Sequence, residues 1–538
     1  MFYFIFTGQK GLCSSWEISK QQKMGKKIQD DNGYFATLGG LLTTLFFLVS
    51  FISPLRAQVL PKEGSKLNYR IIGFSFPEVT QANKYTVEIA SGRINSLDSF
   101  TKNIVQSVSS KDNRIIAEVP SFGAEYTWRV VYGGKKVNLK SSPFYHFSTA
   151  MNLFVDTSKF RLRILQPATE HKDDYVAVDA GSVLYDMKGN PVWSLPLSPG
   201  FDGYVADLEF TPEGTITFMY MGVYEINYDG AILWKPLKKG VISGDTLTEN
   251  YHHQLTKLSN GHYMTLGTEV LLCKTDTVND SSFVVVSHDK VIPEGFRKAH
   301  FGAMIEYDEK GNVVWTWRTS KYLIDLDFEG YMKMDSTLRY DPHDNAFYFD
   351  EKNKWIYLGF RNLNRVVKIE YPSGKVLRTY GEIFKPGVRE TGKGLFCNQH
   401  TIGRTSDGYL YYYNNNSCNL KDSLPTIVML QEPVSPNDTF KKVWEYTCTV
   451  EGNNRKYFFS GGDVIELPDR SLFVNMGSTY SKLFIVNRDK KVLWSALPET
   501  FIETDRKWTL LHEDRANIIT RKDLERLIWK AEATGNNP

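Results

Sequence analysis

The chain has 538 residues, more than a single hydrophobic core holds, so two or more domains are expected. The net charge of +3 is small for that length and no dense Lys/Arg stripe appears, which argues against nucleic acid as a partner. Aromatic residues make up 14 %, mostly Tyr and Phe, and together with many Gly, Asn and Asp turns they favour strands.

Residues 1–57 read as an N-terminal extension and export signal. Lys20, Lys23, Lys26 and Lys27 precede an apolar run from Phe35 to Ile52, and Ala57 then offers a small residue for cleavage before Gln58. An uncleaved anchor competes with this reading, because the run is near bilayer-spanning length. Met24 is an alternative start. No second run of that length follows, so no stable membrane insertion is expected after cleavage. Export permits disulfides among Cys273, Cys397, Cys418 and Cys448. None forms a CxxC pair. A Cys397–Cys418 bridge and buried free thiols remain alternatives.

Residues 58–150 hold short alternating segments split by turns: "YRIIGFSFP", "KYTVEIAS", "RIIAEVP", "YTWRVVYGG" and "YHFSTA". Trp128 alternates with exposed positions, as a sandwich-core aromatic does. The unit resembles a fibronectin type III-like β-sandwich, and packing or dimer contacts are its expected role.

Residues 151–504 repeat. One recurring piece is a strand, a polar turn and a strand often ending in Trp: "VLYDMKGNPVWSL", "EINYDGAILWKPL", "MIEYDEKGNVVWTW", "KIEYPSGKVLRTYG" and "FIVNRDKKVLWSAL", with "IVMLQEPVSPNDTFKKVWEY" as a degenerate copy. The aromatic after the turn is expected to pack between adjacent sheets. A second hairpin precedes most copies: "ADLEFTPEGTITFMY", "HQLTKLSNGHYMTLG", "HDNAFYFDEKNKWIYLGFR", "HTIGRTSDGYLYYYNN" and "GDVIELPDRSLFVNMGS". Two hairpins make a four-stranded antiparallel sheet, and six such units predict an all-β fold with a six-bladed β-propeller after the sandwich. An insertion around Val270 to Arg297 widens the third unit. Residues 505–538 read as a tail outside the blades, with a short amphipathic helix at "TRKDLERLIWKAE".

The repeat supplies a register. Eight residues before the turn glycines Gly261 and Gly408 lie His253 and His400, and His343 holds the corresponding place in a hairpin with a longer turn. Two other units hold Ala206 and Gly462 there. The position opens the innermost strand, so three imidazoles should converge near the axis. A lone histidine is more often a structural hydrogen-bonder; three in register are harder to explain that way. His146, His171, His262, His288, His300 and His512 lack the register. His252 is ambiguous, since a one-residue slip exchanges it with His253. Arg361 closes the partner strand 18 positions after His343 and should return to the same end; Asn345 shares the face of His343.

Three histidines can hold zinc with an open position, but a fixed cationic Arg beside them opposes a dication. The set fits an oxyanion better, with Arg presenting its planar fork and a neutral imidazole able to attack. No metal and no cofactor are expected. "GVRETGKG" (387–394) nearly matches a phosphate-binding loop, yet it ends in Gly and leads into a strand, so a nucleotide donor is not expected.

The order "HHQL", "HDN" with a following "GFR", then "NQHT", after an export signal and a sandwich, resembles the bacterial arylsulfate sulfotransferases. The resemblance covers nearly all of the mature chain. It implies that His400 is the nucleophile that becomes sulfated, with His253, His343, Arg361 and Asn345, and His252 beside them, binding the sulfuryl oxygens or assisting the leaving phenol. It further implies ping-pong transfer from an aryl sulfate to a phenol without a nucleotide donor, a homodimer, and export to the periplasm of a Gram-negative bacterium. Two other functions compete: a non-catalytic propeller that binds a ligand or protein, and a metal- or quinone-dependent propeller oxidoreductase.

Overall fold

Period-two alternation runs through most of the chain, and the result is all-β apart from short helices. The computed structural model describes residues 59–533 apart from 135–136, 151–156, 197–204, 238–249, 275–283, 286–295, 324–340, 384–393, 419–423, 436–437, 451–460 and 478–479. The expected export signal, with the Met24 start, and the phosphate-loop look-alike up to residue 393 lie outside the described residues. No helix among the described residues is long and apolar enough to cross a membrane.

In the N-terminal part, Lys84–Ser91 pairs with Glu125–Gly134 and Ile104–Ser110, and Tyr145–Thr149 adds to Glu125–Gly134. Ile71–Ser75 and Arg114–Glu118 form a separate two-stranded sheet. Tyr85, Val87 and Ile89 point inward on alternate positions. Trp128 is fully buried, its ring 4.9 Å from Phe74 and 5.0 Å from Tyr145. The strands Ser65–Leu67, Ile104–Ser110 and Val137–Ser141 go unseen in the sequence reading. In "IVQSVSS" one face is half-buried, but Ile104, Val105 and Val108 do not alternate with polar residues, so the sequence lacks the apolar alternation that marks a strand.

Six four-stranded antiparallel cores follow. The second runs through Ala206–Phe210, Ile216–Met219, Val223–Ile226 and Ile232–Trp234 in chain order, and the third, fourth, fifth and sixth open with His252–Lys257, Asp344–Asp350, Gln399–Arg404 and Asp463–Glu466. The first sheet differs. Its order is Pro191–Ser194, Val183–Asp186, Tyr175–Val178 and then Ala516–Ile519, so its inner strand comes from near the C-terminus. The segment read as a tail from 505 is therefore part of the sheets: Lys507–Leu510 extends the sixth and Ala516–Ile519 completes the first. "ANII" is too short to declare itself by alternation. The helix Arg521–Ala533 forms where expected, but Leu524, Leu527 and Ile528 are buried in one cluster with Ile71, Phe74 and Trp128 of the N-terminal sheets and Leu208 of the second. The insertion also differs in its flanks: Tyr263–Lys274 and Phe296–Tyr307 pair continuously from Tyr263↔Tyr307 to Lys274↔Phe296, a long ribbon.

The recurring tryptophans join sheet to sheet. Trp193 donates its indole N–H to Tyr228 O (3.0 Å), Trp234 to Asp308 O (3.1 Å), Trp317 to Gly374 O (3.0 Å), and Trp444 to Arg488 O (2.8 Å). In the fourth unit Tyr380 replaces Trp and its hydroxyl reaches Glu432 (2.6 Å). Trp494 of the sixth sheet returns to Met187 O of the first (3.1 Å). Each indole bond satisfies a buried or half-buried donor on a neighbouring turn carbonyl.

Candidate active site

The opening residues of the inner strands are bent out of regular pairing. Asp207, His253, His343 and Thr401 take positive φ of 55°, 63°, 61° and 50°, and register shifts fall between Ala206 and Glu209, His252 and Leu255, Asp344 and Ala346, and His400 and Ile402. Such bulges re-aim side chains, and Asp and His tolerate the left-handed region better than most residues. The histidines consequently do not enter by one shared position. His253 and His343 are themselves left-handed, whereas His400 precedes the left-handed Thr401. Their rings meet nonetheless: His253 lies 5.0 Å from His343 and 5.7 Å from His400, centroid to centroid.

The hydrogen-bond partners fix the tautomers. His400 Nδ1 lies 2.8 Å from Gly462 O. A carbonyl only accepts, so Nδ1 carries the proton and Nε2 keeps its lone pair. His252 Nε2 lies 3.1 Å from Gly267 O and must donate there. Its Nδ1 then accepts from His253 Nδ1 at 2.7 Å, which leaves His253 Nε2 with a lone pair as well. His253 is thus the ring at the cluster, and His252 stands one ring behind it as its orienter.

His400 is 3 % exposed. Burial, then the Arg515 charge, then His343 and Arg361 hold its pKa well below the ordinary histidine value. Burial, His252, His343 and His400 do the same to His253, and burial and His343 push His252 down to about 4. These three rings are neutral at physiological pH.

Arg361 reaches the cluster through its backbone: its N–H donates to His343 O at 2.9 Å. Its guanidinium donates to Asn362 Oδ1 at 2.9 Å. Asn345 is fully buried and its amide donates to Gln399 O at 2.8 Å, so it ties the fourth sheet to the residue before His400. Cys397 and Cys418 are joined as a disulfide, and Cys448 is a buried free thiol. Asn414 Oδ1 accepts from Cys397 N at 2.9 Å, so the bridge sits against the hairpin that carries His400.

A buried charged layer went unread in the sequence. Arg515 is 6 % exposed; its Nε lies 3.4 Å from Asp207, its Nη1 lies 3.8 Å from Asp463, and its Nη2 donates to Asn345 O at 3.2 Å. Burial raises the pKa of Asp207 to about 6 against the pull of Arg515, and burial with Asp207 also raises Glu209. Asp207 and Asp463 directly follow Ala206 and Gly462, the two repeat positions where histidine is missing. An acid after that position in both units was the available signal. Among the described residues, Glu170, His171 and Asp469 bring ligand-type atoms within 4.8 Å of one another. Both ring nitrogens of His171 are already engaged, by Asp174 at 2.9 Å and Asp469 at 3.1 Å. His146 and His262 likewise sit on Glu63 and Glu306.

An all-β chain that gathers neutral imidazoles beside an arginine has the makings of a group-transfer enzyme for anionic substrates. The profile of the arylsulfotransferase (ASST) family matches residues 167–482, more than half of the chain, and the protein belongs to that family. No curated protein matches it. Among solved structures it is similar to a Bacteroides caccae protein of unknown function, at 14 % identity over 64 % of this chain and 99 % of that one, with a TM-score of 0.38. It is also similar to the Cps50 (Swd1) β-propeller domain of Myceliophteria thermophila (11 % identity, 63 % and 91 % covered, TM-score 0.30) and to AztD from Citrobacter koseri (8 %, 81 % and 98 %, TM-score 0.28).

Proposed function

We propose that the protein moves a sulfuryl group from an aryl sulfate ester to a phenol by a ping-pong route through His400, and that its six sheets are the blades of a propeller around this site. The observation that carries the reading is the Gly462 carbonyl on His400 Nδ1, which leaves a neutral Nε2 lone pair beside two further imidazoles and Arg361. Nε2 attacks sulfur, the S–O bond to the aryl group breaks, and the phenolate leaves with the electron pair. His343 passes it a proton. An acceptor phenol then gives up its proton to His343, its oxygen attacks sulfur, and the N–S bond breaks, returning neutral His400. Arg361 offsets charge on the sulfuryl oxygens in a loose transition state, as in phosphoryl transfer. The tryptophan bonds, with Tyr380 in the fourth unit, that run from each sheet to the next support the propeller reading, and the Cys397–Cys418 bond suits an oxidising compartment after export.

The test is turnover of 4-nitrophenyl sulfate with and without phenol. Phenol-stimulated nitrophenol release that is indifferent to a chelator is expected. Donor treatment without acceptor should leave one sulfuryl group on His400 by peptide mapping. No release from a panel of aryl sulfates, or a label on another residue, would sink the proposal.

A further inference from the structure

We propose that Arg515 is a positioning residue for sulfuryl transfer: from its place just before the strand Ala516–Ile519 it holds the backbone anchors that aim His400 and its neighbouring histidines. The inference rests on the sulfuryl-transfer reading above. Arg515 touches three separate sheets. Its Nη1 faces Asp463, whose Oδ1 accepts from Thr401 Oγ1 at 2.6 Å. Thr401 Oγ1 also lies 3.1 Å from Gly462 O, the same carbonyl that takes the His400 proton. Its Nη2 holds Asn345 O, and the Asn345 amide holds Gln399 O, next in chain to His400. On the third side Asp207 accepts at once from Leu255 N (2.5 Å), two residues beyond His253, and faces Arg515 Nε. One buried guanidinium thus closes paths to both faces of the His400 peptide and to the His253 strand.

The fork explains the residue type. Five donors in a plane can serve two carboxylates and a carbonyl together, and a lysine ammonium in this place cannot span them. Removing the cation leaves Asp207 and Asp463 buried without their counter-charge. The groups facing His400 are His253 from the third sheet, His343 and Arg361 from the fourth, Thr401 with Asp463 between the fifth and sixth, and Arg515. The Arg515 charge is the largest influence after burial that keeps His400 unprotonated.

The test uses the full chain with Arg515→Gln and Arg515→Lys, read by nitrophenyl sulfate kinetics and by NMR titration of ε1-labelled histidines. Arg515→Gln should lower kcat by about tenfold or more with KM nearly unchanged, and should raise the His400 midpoint. Arg515→Lys keeps the charge and loses the fork; it should lower kcat while leaving the midpoint near the native one. If the glutamine variant does not fold, the lysine variant decides. Native kcat in a folded variant overturns the proposal, and so does a lower kcat in Arg515→Gln with an unmoved titration, which marks a general structural defect. Absence of turnover in the unmodified protein would defeat the sulfotransferase reading instead, and the histidine titration would still report whether Arg515 governs the rings.

Discussion

A single carbonyl decides what His400 can do. Gly462 O takes its Nδ1 proton, so chemistry at this ring falls to Nε2. His400→Ala should therefore cut kcat by more than about a thousandfold, the scale seen when a nucleophile is removed, with circular dichroism unchanged. The pH dependence has a definite sign. His400 and His253 have folded pKa values below the ordinary one, so activity should persist as pH falls past about 6.5 and fade only well below it. The stability these rings contribute is complete above the ordinary value and is lost as pH falls through the folded one. Asp344 works in the other direction. Burial raises its pKa to about 7, so its contribution is complete in acid and declines as pH rises from the ordinary 3.8 through 7. Asp344→Asn should shrink the fall in Tm between pH 5 and pH 8; an unchanged fall would show that another group causes it. The meeting of His253, His343 and His400 was legible because the repeat gives a corresponding place at the strand opening, counted from the turn glycine. Their different backbone conformations were not, since a bulge shifts register by a residue without altering the pattern of apolar positions. Arg515 was invisible for a related reason: a lone arginine in "EDRANII" reads as surface until its three partners are folded around it.

Among the elements, the outer-strand tryptophans were the clearest signal, and the structure gives each a partner carbonyl on the following sheet. Trp494 is fully buried and bonds Met187 O. Trp494→Phe keeps most of the packing and loses the bond, so a cost of about 1 kcal/mol is expected. Trp494→Ala should cost about 3–5 kcal/mol through the cavity as well. Equal costs for the two variants in denaturant melts would show that the indole bond contributes nothing beyond volume. Hairpins with tight Asn, Asp and Gly turns were readable throughout, as in "YDMKGN" and "LSNG". Ala516–Ile519 escaped, as three strands of the N-terminal part did, because a four-residue strand whose partner lies more than 300 residues away has no local signature. The cysteine pairing was readable only as one of several alternatives, since spacing does not determine which thiols meet.

At the scale of the molecule, one cluster of buried side chains runs from the N-terminal sheets through the C-terminal helix to the first and second sheets. The sequence gives no hint of this, because each segment's apolar face reads the same whatever it packs against. Gly73 lies at the join, and a Cβ there would stand 2.6 Å from Ile528 Cγ2 and 2.9 Å from the Trp529 ring. Gly73→Val should destabilise by about 1–3 kcal/mol and lower Tm, while kcat below the transition stays native. A loss of kcat at low temperature would instead couple this join to the site. The strand Ala516–Ile519 has one more consequence, which concerns time. Arg515 is translated after His253, His343 and His400. A chain broken off before that point carries all three imidazoles but lacks the strand that pairs with Tyr175–Val178 and the cation beside Asp207 and Asp463. On the sulfuryl-transfer proposal such truncated molecules should be chemically silent, because the anchors of His400 form only once Arg515 has been made.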